Sequence, residues 1–273
     1  MHIIFMNKNI GEKYLRLKNQ ISNFGSAIVA FSGGVDSALV LKVAHDVLGD
    51  NAVAVTADSG SIPRRELEDA KDTAKKIGAR HFIIKTEETS KESYLKNPTN
   101  RCYYCKSELY LKLKKISQEL GIKKILNGTN LDDMGDHRPG IKAAEEYSII
   151  SPLKDAAISK KEVREIAMQL RLNVWDKPSS PCLSSRVPYG EQITLKKLKM
   201  IEEAEDFLKD LGIKEIRVRH FGKVARIESN ETGKKIINEN FASIEGRFFE
   251  IGFNEITLSD FKSGSLNIMV GNG

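Results

Sequence analysis

The hexapeptide Ser32-Gly33-Gly34-Val35-Asp36-Ser37 brings together the residue types that hold a polyphosphate. Gly33 and Gly34 let the backbone turn tightly and approach phosphate oxygens. Ser32 and Ser37 add hydroxyl donors, and Asp36 is a hard oxygen ligand for the magnesium that a nucleoside triphosphate carries. The apolar run Ala27 to Phe31 precedes the loop as a buried strand, and Ala38 to Leu48 continues it with helical spacing. The loop therefore opens a helix N-terminus, whose unpaired backbone N–H groups receive an anion. It is not a Walker loop, which needs four residues between its glycines and a Lys-Ser/Thr ending. Taken alone, the hexapeptide is a Gly-Gly turn capped by an aspartate; the flanking strand and helix give it the chemical reading.

Thiols are the second source of chemistry. The chain has three cysteines, an odd number that argues against a disulfide framework. Cys102 and Cys105 stand three residues apart at a predicted helix start, a spacing that lets both reach one metal centre. Cys182 lies between Pro181 and Leu183 in an irregular segment. Three thiolates suit a 4Fe-4S cubane with one iron left open for sulfide. Structural zinc ordinarily takes a fourth ligand, for which His81, His137 and His220 are available. A redox couple, a persulfide relay and ordinary thiols are the alternatives, because spacing does not show that distant residues meet.

The elements that must position these groups read as an α/β core. Strands are predicted at 27–31, 52–57, 81–84 and 124–127, with helices near 11–22, 36–48, 63–77, 104–120 and 159–170. Such alternation gives a parallel sheet with helices on both faces. It also sets the loops at 32–37, 57–61 and 128–138 beyond the carboxyl ends of the strands, where ligands bind. Trp175 to Gly190 is irregular and carries Pro178, Pro181 and Pro188. A helix at 194–211, strands at 215–219 and 223–228, a helix near 231–240 and a strand at 247–253 then predict a compact α+β unit. The Ser-, Gly- and Asn-rich tail from Ser259 is expected to be poorly ordered. The expected boundary is near 190, with 1–190 as the nucleotide domain carrying the cysteines and 191–273 as a smaller domain for substrate binding or oligomerisation.

With 40% hydrophobic and 29% charged residues over 273 positions, the composition is that of a soluble globular chain, and no apolar run reaches membrane-span length. Met1 to Met6 is too short for a secretory apolar region, so a cytoplasmic location is expected. A net charge of +6 permits an anionic partner such as RNA, a nucleotide or a phosphorylated metabolite, yet the lysines are scattered along helices as on solvated faces.

With its strand and helix, Ser32 to Ser37 resembles the PP-loop of ATP pyrophosphatases, which release pyrophosphate and leave AMP on the substrate. Four further blocks run from Arg101 to Tyr110, Gly128 to Gly140, Lys177 to Gly190 and Arg217 to Gly222. Together they make the chain, from about residue 11 to 255, similar to the LarE family of ATP-dependent sulfur-insertion proteins that build the nickel-pincer nucleotide cofactor. The resemblance implies ATP-driven adenylation of a pyridinium carboxylate on a mononucleotide, then replacement of AMP by sulfur. Some members sacrifice one cysteine, matching Cys182, while others hold a 4Fe-4S cluster on three; this chain resembles the second kind. The expected partners are the mononucleotide, sulfide or another sulfur donor, and further copies of the chain; membrane and nucleic acid are not expected.

Roles for named residues follow from their chemistry and from the same resemblance. Asp36 with Asp132 can hold magnesium and Lys106, beside Cys105, can neutralise charge on the transferring α-phosphate, surface charge being their plain alternative. Thr56 and Asp58, ending the second strand, lie by the adenine, and Gly128, Asp133, Asp136 and Arg138 belong to a ligand loop after the fourth strand. Arg186 approaches the reacting carboxylate or a phosphate, and Arg217 and Arg219, alternating with Val218 on a strand, clamp a substrate phosphate. The plain alternative for this arginine pair is a charged, solvent-facing strand edge. Glu205 and Glu228 are metal or oligomer contacts by resemblance and surface charge otherwise.

Three rivals keep the same loop. A tRNA thiolase would use the cysteines equally, but no RNA-binding module or aromatic stacking pattern is visible. An amide-forming ligase would leave the cysteines idle, and a non-catalytic binding module would release no pyrophosphate. Fold does not choose among them.

Overall fold

The computed structural model describes residues 7–135 and 139–261. In chain order its elements are α1 (Lys8–Ser22), β1 (Ala27–Ala30), α2 (Val35–Leu48), β2 (Ala52–Asp58), α3 (Arg64–Ile77), β3 (Arg80–Lys85), α4 (Glu92–Leu95), α5 (Arg101–Leu120) and β4 (Ile125–Leu126). They continue with α6 (Pro139–Glu146), α7 (Pro152–Asp155), α8 (Lys160–Gln169), α9 (Leu195–Asp210), β5 (Ile216–Phe221), β6 (Val224–Ser229), α10 (Glu231–Glu239), α11 (Phe241–Ile251) and β7 (Glu255–Asp260). These form two compact units. One comprises the chain up to Ser59, Arg64–Glu88 and Asn100–Ser180; the other comprises Gly60–Pro63, Thr89–Thr99 and the chain from Pro181.

The first unit is built on a parallel sheet in the order β3-β2-β1-β4. Successive side chains of a strand point to opposite faces, and here both faces are covered. Ala27 and Val29 of β1, with Ala52 and Ala54 of β2, join one core with Leu17 of α1, Leu41 of α2, Ala74 of α3 and Ile166 of α8. Ile28, Val53 and Val55 turn to the other core, with Tyr110 and Leu113 of α5 and Ala143 of α6. The near-continuous apolar runs in the sequence result from this two-sided burial. The predicted helical start at the cysteine pair is α5, which begins at Arg101 and ends at Gly121 in the left-handed region.

The second unit has a three-stranded sheet, β5-β6-β7, in which β5 and β6 are antiparallel and β6 and β7 parallel. Its core packs Ala204 and Leu208 of α9 against Val218, Ile227, Ile237 and Phe248. The predicted strand at 247–253 is corrected: those residues fall largely in α11, with Ile244, Phe248 and Ile251 on one helical face toward the core. The strand comes after it as β7, which takes in Ser259 from the segment expected to be a poorly ordered tail. Residues 262–273 lie outside the described residues.

The boundary expected at 190 falls inside the second unit, which also draws two short segments from the N-terminal half. Backbone hydrogen bonds bind them in. The Leu183 N–H donates to Ser61 O (2.8 Å), Gly190 N–H to Asn97 O (3.0 Å) and Ile193 N–H to Leu95 O (2.9 Å). No described helix is long and apolar enough to cross a membrane.

Candidate active site

In the first unit the Ser32–Ser37 turn joins β1 to α2 as the sequence predicts. Gly33 has φ +75°, and a Cβ there would sit 2.9 Å from Ala70 Cβ, so both its conformation and its closeness to α3 require glycine. Gly34 caps α2 with extended backbone, and Val35 opens the helix with its side chain in the core. The Ser37 hydroxyl is turned inward. It donates to Gly34 O (3.1 Å) and accepts from the Ser32 N–H (3.2 Å), bracing the turn from within. The backbone N–H groups at the start of α2 supply the positive end for an anion.

Asp36 is the hub of the site. Its Oδ1 accepts from Asn130 Nδ2 at 3.0 Å, and its Oδ2 is paired with Lys160 Nζ at the start of α8. Asn130 Oδ1 in turn accepts from the Asp132 N–H (2.9 Å), and Asp133 Oδ2 accepts from the Asn130 N–H (3.0 Å). Asp132 Oδ2 closes the ring by accepting from the Lys160 N–H (2.9 Å). Asp36 and Asp132 are thereby drawn into one network with Asn130 and Lys160 between them. Gly128 makes this approach possible: a Cβ at that position would lie 2.7 Å from the Ser37 nitrogen and 3.1 Å from Asp36 Cβ. Gly128 is a packing glycine against the turn.

Two linked carboxylates match what magnesium asks of a protein when phosphates supply the rest of its oxygen shell. Among the described residues no group of three His, Cys, Asp or Glu side chains stands together as a metal site. On α5, in the first unit, Cys102 is exposed and Cys105 partly buried, one helical turn apart. Cys182 belongs to the second unit. Lys106, exposed on the same turn of α5, packs by its stem against α6, where a Cβ on Gly140 would come within 3.2 Å of its Cγ.

At the end of β2, the Thr56 hydroxyl donates to Phe31 O (2.7 Å) and meets His81 Nε2 at 2.8 Å. Because its one proton goes to the carbonyl, His81 Nε2 is the donor in the second bond. Burial, helped by the charge of Lys71, holds the His81 pKa below its ordinary value, consistent with a neutral ring. Thr56 is thus committed inward, and Asp58 is held by Arg64, whose guanidinium also reaches Ser59 O. Arg138, Asp136 and His137 lie outside the described residues. The irregular segment that leads to Cys182 is fastened in this unit. Arg164 donates to the carbonyls of Trp175 and Lys177, each at 2.8 Å, and Lys177 Nζ pairs with Glu66 (2.8 Å) and Asp69 (2.7 Å).

In the second unit Cys182 precedes a short helical turn, Leu183–Arg186. Arg186 is buried, and its Nε and Nη2 form a fork onto Glu205 at 2.8 and 2.9 Å. Its Nη1 donates to Cys182 O (3.0 Å) and to Pro181 O. This arginine, expected to meet substrate, therefore grips the cysteine's own backbone. Burial works to raise the Glu205 pKa, but Arg186 and the Val218 N–H (3.0 Å) hold the carboxyl below its usual range. Arg219 donates to Ser185 O (2.7 Å) and pairs with Glu228 (2.8 Å). Burial, reinforced by the charge of Arg186, pushes Arg217 down to about 10, still charged at neutral pH, with its guanidinium 5.1 Å from the Phe261 ring centre. The buried acids identify this as an internal charge network, so the expectation of surface charge for Glu205 and Glu228 is not met.

Sequence reading missed Asn130, Lys160, Arg64 and the role of Glu205. Ser159 and Glu162 form a capping box that announces the start of α8, but nothing in its spacing points Lys160 at a loop 124 residues earlier.

Residues 26–134 match the family model for the argininosuccinate synthase N-terminal HUP domain. The pyridinium-3,5-bisthiocarboxylic acid mononucleotide synthase of Lactiplantibacillus plantarum is 36% identical, covering 88% of this chain and 88% of its own. The uncharacterized protein slr1717 of Synechocystis sp. is 46% identical over 92% of this chain and 97% of its own. A tRNA-specific 2-thiouridylase of Rickettsia massiliae is 29% identical over 56% of this chain and 52% of its own.

Proposed function

Since this chain belongs to the LarE family of PP-loop sulfur transferases, we propose that its substrate is pyridinium-3,5-biscarboxylic acid mononucleotide, one carboxylate of which it converts to a thiocarboxylate. The chain is an ATP-dependent sulfurtransferase. A carboxylate is a poor acyl donor, so ATP acts first: a carboxylate oxygen attacks the α-phosphorus and pyrophosphate leaves. A hydrosulfide-class nucleophile then attacks the acyl carbon, AMP leaves, and the thiocarboxylate remains. Magnesium, when bound with ATP, supplies charge neutralisation on the phosphates.

The observation that carries this reading is the Ser32–Ser37 turn, which sets the N-terminus of α2 beside the linked carboxylates Asp36 and Asp132. In it, the α2 N-terminus cradles the phosphates, the two aspartates take the metal of the nucleotide, and Lys106 approaches the α-phosphate. Gly128 and Asp133 belong to the adjoining loop, and Arg138 is read as a further nucleotide contact. The ends of β2 at Thr56 and Asp58 serve the adenine by backbone, since both side chains are engaged. Arg217 is the first choice for the substrate phosphate, with Arg219 and Arg186 supporting through the internal network. In its finer form the reading has Cys102, Cys105 and Cys182 jointly hold a 4Fe-4S cluster, which requires thiols from both units.

The test is to incubate anaerobically prepared protein with ATP, magnesium, sulfide and the biscarboxylated mononucleotide and to weigh the product. Sulfur gained for oxygen is expected; pyrophosphate release without that gain overturns sulfur transfer. Iron content and a broad visible band, lost in Cys102→Ala, Cys105→Ala and Cys182→Ala alike, test the cluster, and a colourless protein supplied with iron and sulfide overturns it.

A further inference from the structure

The Lys160–Asp36 contact is not explained by stability. Both side chains are partly exposed, at 36% and 23%, and pairs of that kind contribute little to stability. Its placement is informative instead. The ammonium occupies one oxygen of the loop aspartate, Asn130 occupies the other, and the N–H of Lys160 is fixed to Asp132. The base of the side chain is therefore a set pivot, held by the capped start of α8, while its four-carbon stem leaves the charge mobile.

We propose that Lys160 is the resident counter-ion of Asp36 and that it couples metal binding to nucleotide binding. This rests on the reading of Asp36 and Asp132 as the carboxylates that take the metal of the nucleotide. A divalent cation arriving alone must displace the ammonium from Asp36 and repels it at close range, with no new anion for Lys160 to meet. A triphosphate on the α2 N-terminus supplies that anion, and the displaced ammonium moves onto phosphate oxygens. Metal and nucleotide then bind with positive coupling, and by linkage each strengthens the other by the same factor. The arrangement keeps the site from filling with metal before ATP arrives.

The experiment titrates full-length protein with Mn2+, following unbound metal by its electron paramagnetic resonance signal. In parallel it measures binding of α,β-methylene-ATP, which cannot be adenylated onto substrate, with and without Mn2+. Lys160→Met is expected to bind Mn2+ alone about threefold to fivefold more tightly than wild type, the upper size of a partly exposed ion pair, and to lose a similar factor of the Mn2+ enhancement of analogue binding. Lys161→Met removes the same charge from the exposed neighbour and is expected to change neither. Equal Mn2+ affinity and equal enhancement in Lys160→Met and wild type overturn the counter-ion role, as does an identical response from Lys161→Met. Asp36→Asn separates the two layers. If it keeps wild-type Mn2+ enhancement, the metal reading of Asp36 itself falls; if it loses that enhancement while Lys160→Met behaves as wild type, only the coupling falls.

Discussion

Truncating Glu205 to alanine tests whether Arg186 serves Cys182 or substrate. In the folded chain the Arg186 and Glu205 side chains are 1% and 2% exposed, joined by two hydrogen bonds, and Glu205 also accepts the Val218 N–H. Removing one partner of such a pair leaves a buried charge uncompensated and costs about 3–5 kcal/mol. The stranded Val218 N–H adds on the order of 1 kcal/mol. Domains are stable by only about 5–15 kcal/mol, so Glu205→Ala should leave the second unit marginal, with a clear fall in its urea midpoint. The decisive companion is Arg186→Met with Glu205→Leu. Apolar replacement of both partners is often neutral or stabilising, so the double variant should recover most of the lost stability. It still lacks the bonds from Arg186 to the carbonyls of Pro181 and Cys182. In a Cys102→Ser, Cys105→Ser background, Cys182 should then be alkylated faster than in the parent, and, with the other cysteines restored, sulfur transfer should fall. A Glu205→Ala penalty under ~1 kcal/mol would refute the buried-pair argument. A stable double variant with wild-type sulfur transfer would refute the positioning role.

Gly128→Ala forces a methyl to 2.7 Å from the Ser37 nitrogen, a backbone atom, and should weaken ATP binding by about 10–100-fold, for roughly 1–3 kcal/mol of overpacking; dialysis against labelled ATP checks this, and a change under twofold contradicts it. His220, buried against Phe253, has its pKa lowered chiefly by burial and then by Lys197. The unfolded chain therefore takes up the proton first, so stability should fall as pH drops below about 6.5, and His220→Phe should flatten that part of a denaturation-midpoint profile. Cys102 is exposed whereas Cys105 and Cys182 are partly covered, so a limiting alkylating reagent should label Cys102 first, as read by peptide mass mapping; dominant labelling of Cys182 would contradict the geometry.

The parts legible in the sequence are those whose cause is local. The strand, glycine turn and helix at 27–48 arise from contiguous residues, and the cysteine pair is spaced by a single helical turn. The Asp36 network escapes because its members come from three distant segments, with Asn130 lying 94 and Lys160 124 residues from Asp36. The internal partners of Arg186 are equally hidden. A conspicuous arginine beside a cysteine invites a ligand role, but the carboxylate that claims it sits on α9, in a run that reads as a charged surface helix. In α11 the aromatic cluster at Phe248 and Phe249 favours strand by composition, and only the wider spacing from Ile244 to Ile251 reveals the helix.

The weaving of the second unit bears on how the protein is made. Its pieces at Gly60–Pro63 and Thr89–Thr99 leave the ribosome well before the stretch that begins at Pro181, so the nascent chain carries two fragments that wait for it. Tyr94, whose hydroxyl lies 2.6 Å from Ser184 Oγ, and Asn97, which donates to Pro188 O at 2.7 Å, meet these partners only when the later stretch emerges. Cys182 is thus set in its final surroundings only once Glu205, Val218 and Arg219, made after it, have also emerged to hold Arg186 and Ser185.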